Sequence, residues 1–192
     1  MENKDNISDI DLVNECKKGE TWAQSALFRK YFEMVKALCF RVLGPLNRFE
    51  QEDIVQEIFL QVFASLNKFK GNAQFSTWLY SLCLNNLHTA IRKKTRMRKH
   101  FIVTENQQLY DVEDADLNNE EKSELKEKVL FLHGIINQLP LRERETFILG
   151  FIEGKHMDEI SDILGRKVGT IKTWIFRARK KIQKTWKMRY ED

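Results

Sequence analysis

The chain has 192 residues, a formal net charge of +4, 42% hydrophobic residues, two prolines and eight glycines. A chain of this length forms one large domain or two small ones, and so few helix-breaking residues favour an all-α fold. The sequence has no run of about 18 apolar residues and begins with a polar, acidic segment. We therefore expect neither membrane insertion nor a signal peptide. Three widely spaced cysteines, Cys16, Cys39 and Cys83, indicate reduced, buried thiols in a cytoplasmic protein.

Four helices are predicted in the N-terminal half, where apolar residues recur at steps of three and four. Their predicted positions are a short helix between Ser8 and Gly19, a second at Thr21–Leu43, a third at residues 51–66 and a fourth from Phe75 into residues 92–99. Ser8 is the predicted N-cap of the first helix. Residues 67–74 form the break between the third and fourth helices.

Charge alternates in blocks along the chain. Residues 92–99 carry six basic and no acidic side chains, whereas residues 101–128 carry nine acidic and three basic ones. The acidic block lacks dense apolar periodicity over residues 104–119, so we predict a flexible acidic linker between two small helical domains. The predicted division is a first domain at 1–100, a linker at 101–128 and a second domain at 129–192.

The second domain is predicted to begin with a helix that starts near Glu120 and continues to Gln138. Pro140 opens the next helix, because proline is well accommodated in a first helical turn. This helix is predicted to end at Gly154. The predicted core face of the helix consists of Phe147, Ile148 and Phe151.

A helix-turn-helix pattern follows. Ile160, Ile163 and Leu164 form the apolar stripe of one helix, and Gly165 stands where the chain must turn sharply. In the helix after the turn, apolar residues recur at steps of three and four, namely Val168, Ile171, Ile175, Ala178 and Ile182. Such a motif places its second helix in the major groove of DNA.

The opposite face of this last helix mixes cations, a hydroxyl and an apolar ring. Its members are Gly169, Thr173, Phe176, Arg177 and Lys180, with Lys172 on the flank. Between Ile163 and Tyr190 the sequence has ten basic and no acidic residues. Complementing a helix dipole explains two or three cations in a last turn but not a tract of one sign over several turns. DNA contact is therefore predicted.

Two segments of the chain resemble conserved regions of one known family. Residues 52–86, EDIVQEIFLQVFASLNKFKGNAQFSTWLYSLCLNN, resemble region 2 of bacterial sigma-70 factors, and the helix-turn-helix resembles region 4. They occur in the family's order, with an acidic linker between them. The chain thus resembles the extracytoplasmic-function (ECF) group of RNA polymerase sigma factors. The resemblance implies promoter DNA and the β and β′ subunits of core RNA polymerase as partners.

The resemblance also assigns roles in the first domain. In the family, the helix that matches residues 53–63 docks on the largest polymerase subunit, which implies polymerase contacts for Asp53, Gln56 and Glu57. The loop that matches residues 69–74 captures a base extruded from the −10 element. The residues thereby implied in −10 DNA binding are Phe69 and Asn85 in the base pocket and Arg92, Lys93 and Lys94 at the phosphates. From sequence alone, a solvated helix face is the preferred interpretation of Asp53, Gln56 and Glu57, and Phe69 fits a core anchor equally well.

In the second domain, the family's −35 contacts correspond to Lys172, Thr173, Phe176 and Arg177. Two positions depart from the family pattern. Trp174 stands where arginine is common, so we expect it to pack beside the buried stripe and a phosphate contact to be missing. His156 stands where many members have a serine cap, which predicts a weaker helix start.

The resemblance also implies a role for the linker and a further protein partner. In the family the linker runs through polymerase channels that nucleic acid normally occupies, which implies a phosphate-mimicking role for the acidic cluster Asp111, Glu113, Asp114 and Asp116. Composition alone favours a solvated spacer instead. Because anti-sigma factors hold many family members, such a factor is an implied partner here.

Enzymatic motifs are missing from the sequence, which has no P-loop, no HExxH and no Cys/His cluster with zinc spacing. We therefore expect no catalytic residue, no metal and no cofactor. Two other classes remain open. A free-standing helix-turn-helix regulator would bind duplex DNA as a dimer without polymerase, and a DNA-processing enzyme would need a metal or nucleophile site besides its targeting domain.

Overall fold

The computed structural model describes residues 7–44, 48–98 and 119–191, with only the backbone at residues 48, 49, 51, 94–98 and 119–122. These residues form eight α-helices and no strand. The helices are α1 (Asp9–Lys17), α2 (Thr21–Leu43), α3 (Arg48–Ser65), α4 (Phe75–Arg98), α5 (Asn119–Asn137), α6 (Leu141–Phe147), α7 (Met157–Leu164) and α8 (Val168–Tyr190). Nearly all of α1 to α4 forms one compact unit and α5 to α8 forms another. The predicted all-α fold with two small helical domains is confirmed.

In the first unit, α1 starts as predicted. The Ser8 hydroxyl oxygen accepts a hydrogen bond from the backbone N–H of Asp11 at 3.3 Å, and Asp9 and Asp11 place negative charge in the first turn. Both features stabilise a helix N-terminus, where backbone donors lack partners. Gly19, at φ +90°, follows the end of α1 and allows the turn into α2 because glycine tolerates a positive φ.

Helices α2, α3 and α4 supply most of the core of the first unit. Side chains spaced by three or four residues are almost completely buried on each helix, including Leu27, Val35 and Leu38 on α2, Val55, Ile58 and Val62 on α3, and Leu79, Leu84 and Leu87 on α4. Cys16, Cys39 and Cys83 are buried as free thiols, as the sequence predicts. A short 3₁₀ turn at Leu66–Lys68 ends α3 and leads into the break before α4.

The predicted linker is only partly within the described residues. Its residues 101–118, with the acidic cluster, lie outside them. Helix α5 already begins at Asn119, within one residue of the predicted start of helical pattern. The last part of the predicted linker, residues 119–128, is therefore helical.

One predicted core face in the second unit is wrong in part. Ile148 is fully buried, but Phe151 is 52% exposed and the core position belongs instead to Leu149. The reason is a π-helical segment at Ile148–Ile152, in which the N–H of Glu153 bonds to the carbonyl of Ile148 five residues back. The wider turn rotates the chain less per residue than an α-helix, so Phe151 faces solvent and stacks on Phe147 with centroids 4.8 Å apart.

The last two turns of α8 pack against α5 through an aromatic cluster, which we call the C-terminal clasp. It consists of Glu127 and Phe131 on α5 and Trp186, Arg189 and Tyr190 on α8. The Arg189 guanidinium lies 4.6 Å from the Phe131 ring centroid and 2.6 Å from a Glu127 carboxylate oxygen. The Phe131 and Tyr190 rings meet edge to face at 5.5 Å. These contacts join the first helix of the unit to the end of its last helix.

Candidate nucleic-acid and polymerase interfaces

The first helix of the helix-turn-helix, α7, is held at its N-terminus by a glutamate rather than by its cap residue. The Glu159 carboxylate accepts a hydrogen bond from the backbone N–H of His156 at 2.9 Å. This bond, together with the nearby charges of Lys155 and His156, lowers the pKa of Glu159. The carboxylate therefore supplies one half of a capping box, which offsets the weaker start predicted from His156 at the cap.

The turn between α7 and α8 has the geometry that the sequence predicts. Gly165 lies in the left-handed region at φ +60°, and the N–H of Arg166 bonds back to the carbonyl of Ser161 at 3.1 Å. Helix α8 then packs on the unit through four buried residues, Ile171, Ile175, Ala178 and Ile182. Val168, the first residue of that predicted stripe, is half-buried. Burial of this stripe fixes which face of α8 points to solvent.

That solvent-facing side brings together all four residues predicted to contact the −35 element. Lys172, Thr173, Phe176 and Arg177 are exposed and follow one another at helical spacing within two turns of α8. Phe176 is 66% exposed. The Thr173 hydroxyl donates to the carbonyl of Gly169 at 2.9 Å, which leaves its methyl group and oxygen lone pairs at the surface. The face can thus offer cations, a hydroxyl and an apolar ring to base edges.

Trp174 lies at the border of this face. It is half-buried between the exposed and the buried sides of α8. This position agrees with packing beside the stripe, and the loss of a phosphate contact there stays a prediction.

On the first unit, the three residues predicted to contact polymerase share one exposed face of α3. Asp53, Gln56 and Glu57 are all exposed, and Leu60, one turn further on, is 70% exposed. The sequence assigns no role to Leu60, because this residue lies outside the apolar stripe of the helix and is not polar. A single exposed apolar side chain is common on protein surfaces, so Leu60 adds an apolar position to this face without by itself marking an interface.

The break between α3 and α4 forms a loop closed by aromatic residues at both ends, which we call the aromatic-closed loop (Phe69–Phe75). Phe69 is 5% exposed and Phe75 is 2% exposed, and their rings meet edge to face at 5.5 Å. Trp78 packs on Phe69 at 5.6 Å. Residues 70–74 between these ends are all exposed. The loop is therefore short, anchored at both ends and open to solvent in the middle.

Phe69 thus lies in the core, as one of the two sequence-based interpretations predicts, and offers only a small edge to any pocket. Asn85 is exposed on α4 and lies seven residues after Trp78, on the same helix face. Arg92 lies seven residues further and is exposed together with Lys93. The side chain of Lys94 lies outside the described residues. Trp78, which packs on Phe69, is therefore followed by an amide and two cations along one side of α4.

Metal sites and membrane spans are both absent from residues 7–44, 48–98 and 119–191. No three His, Cys, Asp or Glu side chains there are grouped so that they could hold a metal ion. None of the helices that these residues form combines the length and the apolar character that crossing a bilayer requires.

Each of the two units contains a segment that matches a known protein family. The family model described as Sigma-70 region 2 matches residues 27–97, and the model described as Sigma-70, region 4 matches residues 132–182. The first match contains α3, the aromatic-closed loop and most of α4. The second contains α6, α7 and the part of α8 that carries the exposed basic face.

Whole-chain comparisons give the same family. The chain is 32% identical to the ECF RNA polymerase sigma factor SigW of Bacillus subtilis (strain 168), over 90% of this chain and 93% of that protein. It is 30% identical to the ECF RNA polymerase sigma-E factor of Haemophilus influenzae, over 92% and 94% of the two chains.

Solved structures share the fold. The structure of CnrH in complex with the cytosolic domain of CnrY matches with a TM-score of 0.67 at 20% identity, over 95% of this chain and 99% of that chain. The sigma factor RpoE from Bartonella quintana, in complex with the anti-sigma factor NepR, gives the same TM-score at 20% identity, over 85% and 96%. The chain therefore belongs to the ECF group of the sigma-70 family, the factors that direct core RNA polymerase to promoters at the start of transcription.

Proposed function

We propose that the exposed face of α8 reads the −35 element of the promoter. The observation that carries this proposal is the grouping of Lys172, Thr173, Phe176 and Arg177 on one face, opposite a fully apolar buried stripe. The first turn of α8 contains no acidic residue that would repel phosphates. A cation in bidentate contact with guanine is worth about 1–3 kcal/mol of base discrimination, so Lys172 and Arg177 are the proposed specificity determinants.

We further propose that the first unit binds the −10 element as a single strand and helps to open the duplex. Residues 70–74 of the aromatic-closed loop are exposed, and Asn85, Arg92 and Lys93 are exposed further along α4. Extruding a base costs a few kcal/mol, which hydrogen bonds and apolar contact in a pocket must offset. Asn85 can hydrogen-bond the base edge, Phe69 can close the pocket floor with its exposed edge, and Arg92, Lys93 and Lys94 can hold the phosphates.

Core polymerase is the proposed partner of the α3 face. In this proposal Asp53, Gln56 and Glu57 supply polar contacts, and the exposed Leu60 supplies an apolar contact beside them. We predict that Leu60→Ser weakens binding to core polymerase about 10-fold. The wild-type leucine, which is exposed in the free protein, becomes buried in the complex, and serine does not gain this apolar burial.

This core-binding step is tested by reconstitution. Purified core RNA polymerase is titrated with the wild-type chain, Leu60→Ser, Glu57→Gln and the control Glu33→Gln, which changes an exposed glutamate on α2. Binding that is equal in all four proteins would remove the α3 face from the interface.

Run-off transcription then distinguishes a sigma factor from a free-standing regulator. The chain with core polymerase should yield RNA with a defined start, whereas the chain alone should leave no footprint on duplex DNA of the same sequence. A footprint without polymerase would favour a dimeric helix-turn-helix regulator. A DNA-processing enzyme would instead change the DNA covalently in the absence of polymerase.

The remaining assignments are part of the same proposal. We assign residues 1–100 to polymerase and −10 binding, residues 101–128 to the linker and residues 129–192 to −35 binding. The chain acts without catalytic residues or a cofactor, since polymerase performs the chemistry, and it acts in the cytoplasm, where polymerase and DNA are. An anti-sigma factor is a proposed further partner, supported by the two solved fold relatives, each of which is in complex with such a factor or with a cytosolic domain.

The acidic cluster of the linker, Asp111, Glu113, Asp114 and Asp116, is proposed to occupy a polymerase channel that otherwise holds nucleic acid. Changing all four to their amides should alter the yield of short abortive RNA products during early synthesis. Unchanged abortive products would leave the cluster as a solvated spacer.

A further inference from the structure

Helix α1 precedes the part of the chain that matches the region 2 family model, yet it contacts the aromatic-closed loop directly. The Lys17 ammonium donates a hydrogen bond to the backbone carbonyl of Phe69 at 2.8 Å, across 52 residues of sequence. The same ammonium lies 6.0 Å from the centroid of the Phe69 ring. Lys17 therefore holds the first residue of the loop by its backbone and lies near its ring.

A second residue of α1, Ile10, lies close to the middle of the loop. Gly71 adopts φ +76°, and a Cβ built there would lie 3.4 Å from the Cδ1 atom of Ile10. Ile10 itself is 45% exposed. The α1 surface thus bonds to the loop at Phe69 and lies close to it two residues later, at a position whose backbone conformation favours glycine.

Helix α1 is a firm support because it is fixed to α2. The Tyr31 hydroxyl donates to an Asp9 carboxylate oxygen at 2.6 Å, and the Lys30 ammonium lies 2.7 Å from the other oxygen. The Tyr31 ring meets Phe75, the closing residue of the loop, edge to face at 5.3 Å. One set of contacts therefore joins the start of α1 to the far end of the loop, while Lys17 joins the end of α1 to the near end.

We propose that Lys17 is a positioning residue for −10 recognition. It holds the aromatic-closed loop in its binding conformation before the DNA strand arrives. This inference rests on the proposed role of the loop in capturing an extruded base. A loop that is ordered in the free protein avoids the entropic cost of ordering during binding, and that advantage applies most to a ligand that must fit a defined pocket. Lys17 then affects base selectivity without touching DNA.

The test uses the full chain in reconstituted holoenzyme and a pool of single-stranded DNA with a random six-nucleotide centre. Three variants are compared with the wild type: Lys17→Met removes the donor, Lys17→Arg keeps it, and Lys18→Met is the matched control. Lys18 is also exposed at the end of α1 but pairs with Glu15 at 2.6 Å rather than with the loop. Bound strands are sequenced, and the salt dependence of binding is measured on an enriched strand.

We expect Lys17→Met to reduce the enrichment of preferred over random sequences about 5- to 10-fold, because the variant loses one charge-assisted hydrogen bond that orders the loop. Lys17→Arg should retain most of the enrichment, and Lys18→Met should retain all of it. Binding to core polymerase and the slope of affinity against salt should be the same in all four proteins. The melting temperature of each variant is measured as well, and values equal to that of the wild type would show that the effect does not follow from a damaged fold.

Three results would overturn the inference. If Lys17→Met retains the wild-type enrichment, the loop does not depend on Lys17. If Lys17→Met weakens binding to all sequences equally and lowers the salt slope by about one, Lys17 contacts a phosphate instead. If the wild-type holoenzyme enriches no sequence at all, the proposed −10 role of the loop fails first, and the dependent inference fails with it.

Discussion

The exposed ring of Phe176 gives the sharpest test of the α8 face. A phenylalanine side chain exposes roughly 200 Å² when free, and 66% of Phe176 is exposed in the structure. If docking in the major groove covers half of that exposed area, about 65 Å² is buried. At about 25 cal/mol per Å², this burial contributes about 1.6 kcal/mol to binding. Phe176→Ala should therefore weaken promoter binding roughly 15-fold.

Folding should be almost unaffected by this change, because the ring makes little contact with the rest of the unit. We expect the free energy of unfolding to stay within about 0.5 kcal/mol of the wild type. Met188→Ala is the matched control, since Met188 is also apolar, also 66% exposed and also on α8. It lies about 18 Å further along the helix, beyond the proposed contact.

The assay measures holoenzyme affinity for a duplex promoter fragment that supports run-off transcription with the wild-type chain. The reasoning predicts a large loss for Phe176→Ala and less than a twofold loss for Met188→Ala. Equal effects of the two substitutions would show that the groove contact does not involve Phe176. A large loss of thermal stability in Phe176→Ala would contradict the exposed position of the ring.

Three further predictions concern folding. Ser8→Ala should lower the free energy of unfolding by about 1 kcal/mol in urea titration, because α1 loses its N-cap. Burial raises the pKa of the Cys39 thiol to about 12, so the native state keeps a proton that the unfolded state releases above about pH 8.5. The free energy of unfolding should therefore fall as pH rises from about 8.5 towards 12. In urea titrations this fall should be about 1.4 kcal/mol per pH unit shallower for Cys39→Ala than for the wild type. Trp186→Ala should lower the melting temperature by removing one ring of the C-terminal clasp, and an unchanged melting temperature would mean that the clasp adds nothing to stability.

Local periodicity predicted the helices well, because most of their side chains follow the regular rotation of an α-helix. The bounds of α2 and the positive φ of Gly165 were read directly from apolar spacing and from glycine. Phe151 was misplaced because a π-helical segment breaks that rotation, and no residue type at this position signals such a segment. Sequence spacing therefore predicts faces only where the helix is regular.

The candidate sites were predicted to different extents, because spacing along one regular helix defines a face but does not reveal contacts between distant residues. The face with Lys172 and Phe176 needed only one regular helix. The location of Phe69 depended on Phe75 and Trp78, so it stayed undecided until tertiary packing was known. The bond from Lys17 to Phe69 joins residues 52 positions apart, and no local pattern can reveal such a pair.

The C-terminal clasp has a practical consequence for protein engineering. Because Glu127 in the middle of α5 and Arg189 near the end of α8 lie within 2.6 Å of each other, the last turns of α8 are tied to the first helix of the second unit. A shortened chain that ends before Trp186 would lose this ion pair and uncover the Phe131 ring, which packs on Trp186 and Tyr190. Truncations designed to isolate the second unit should therefore keep α8 through Tyr190.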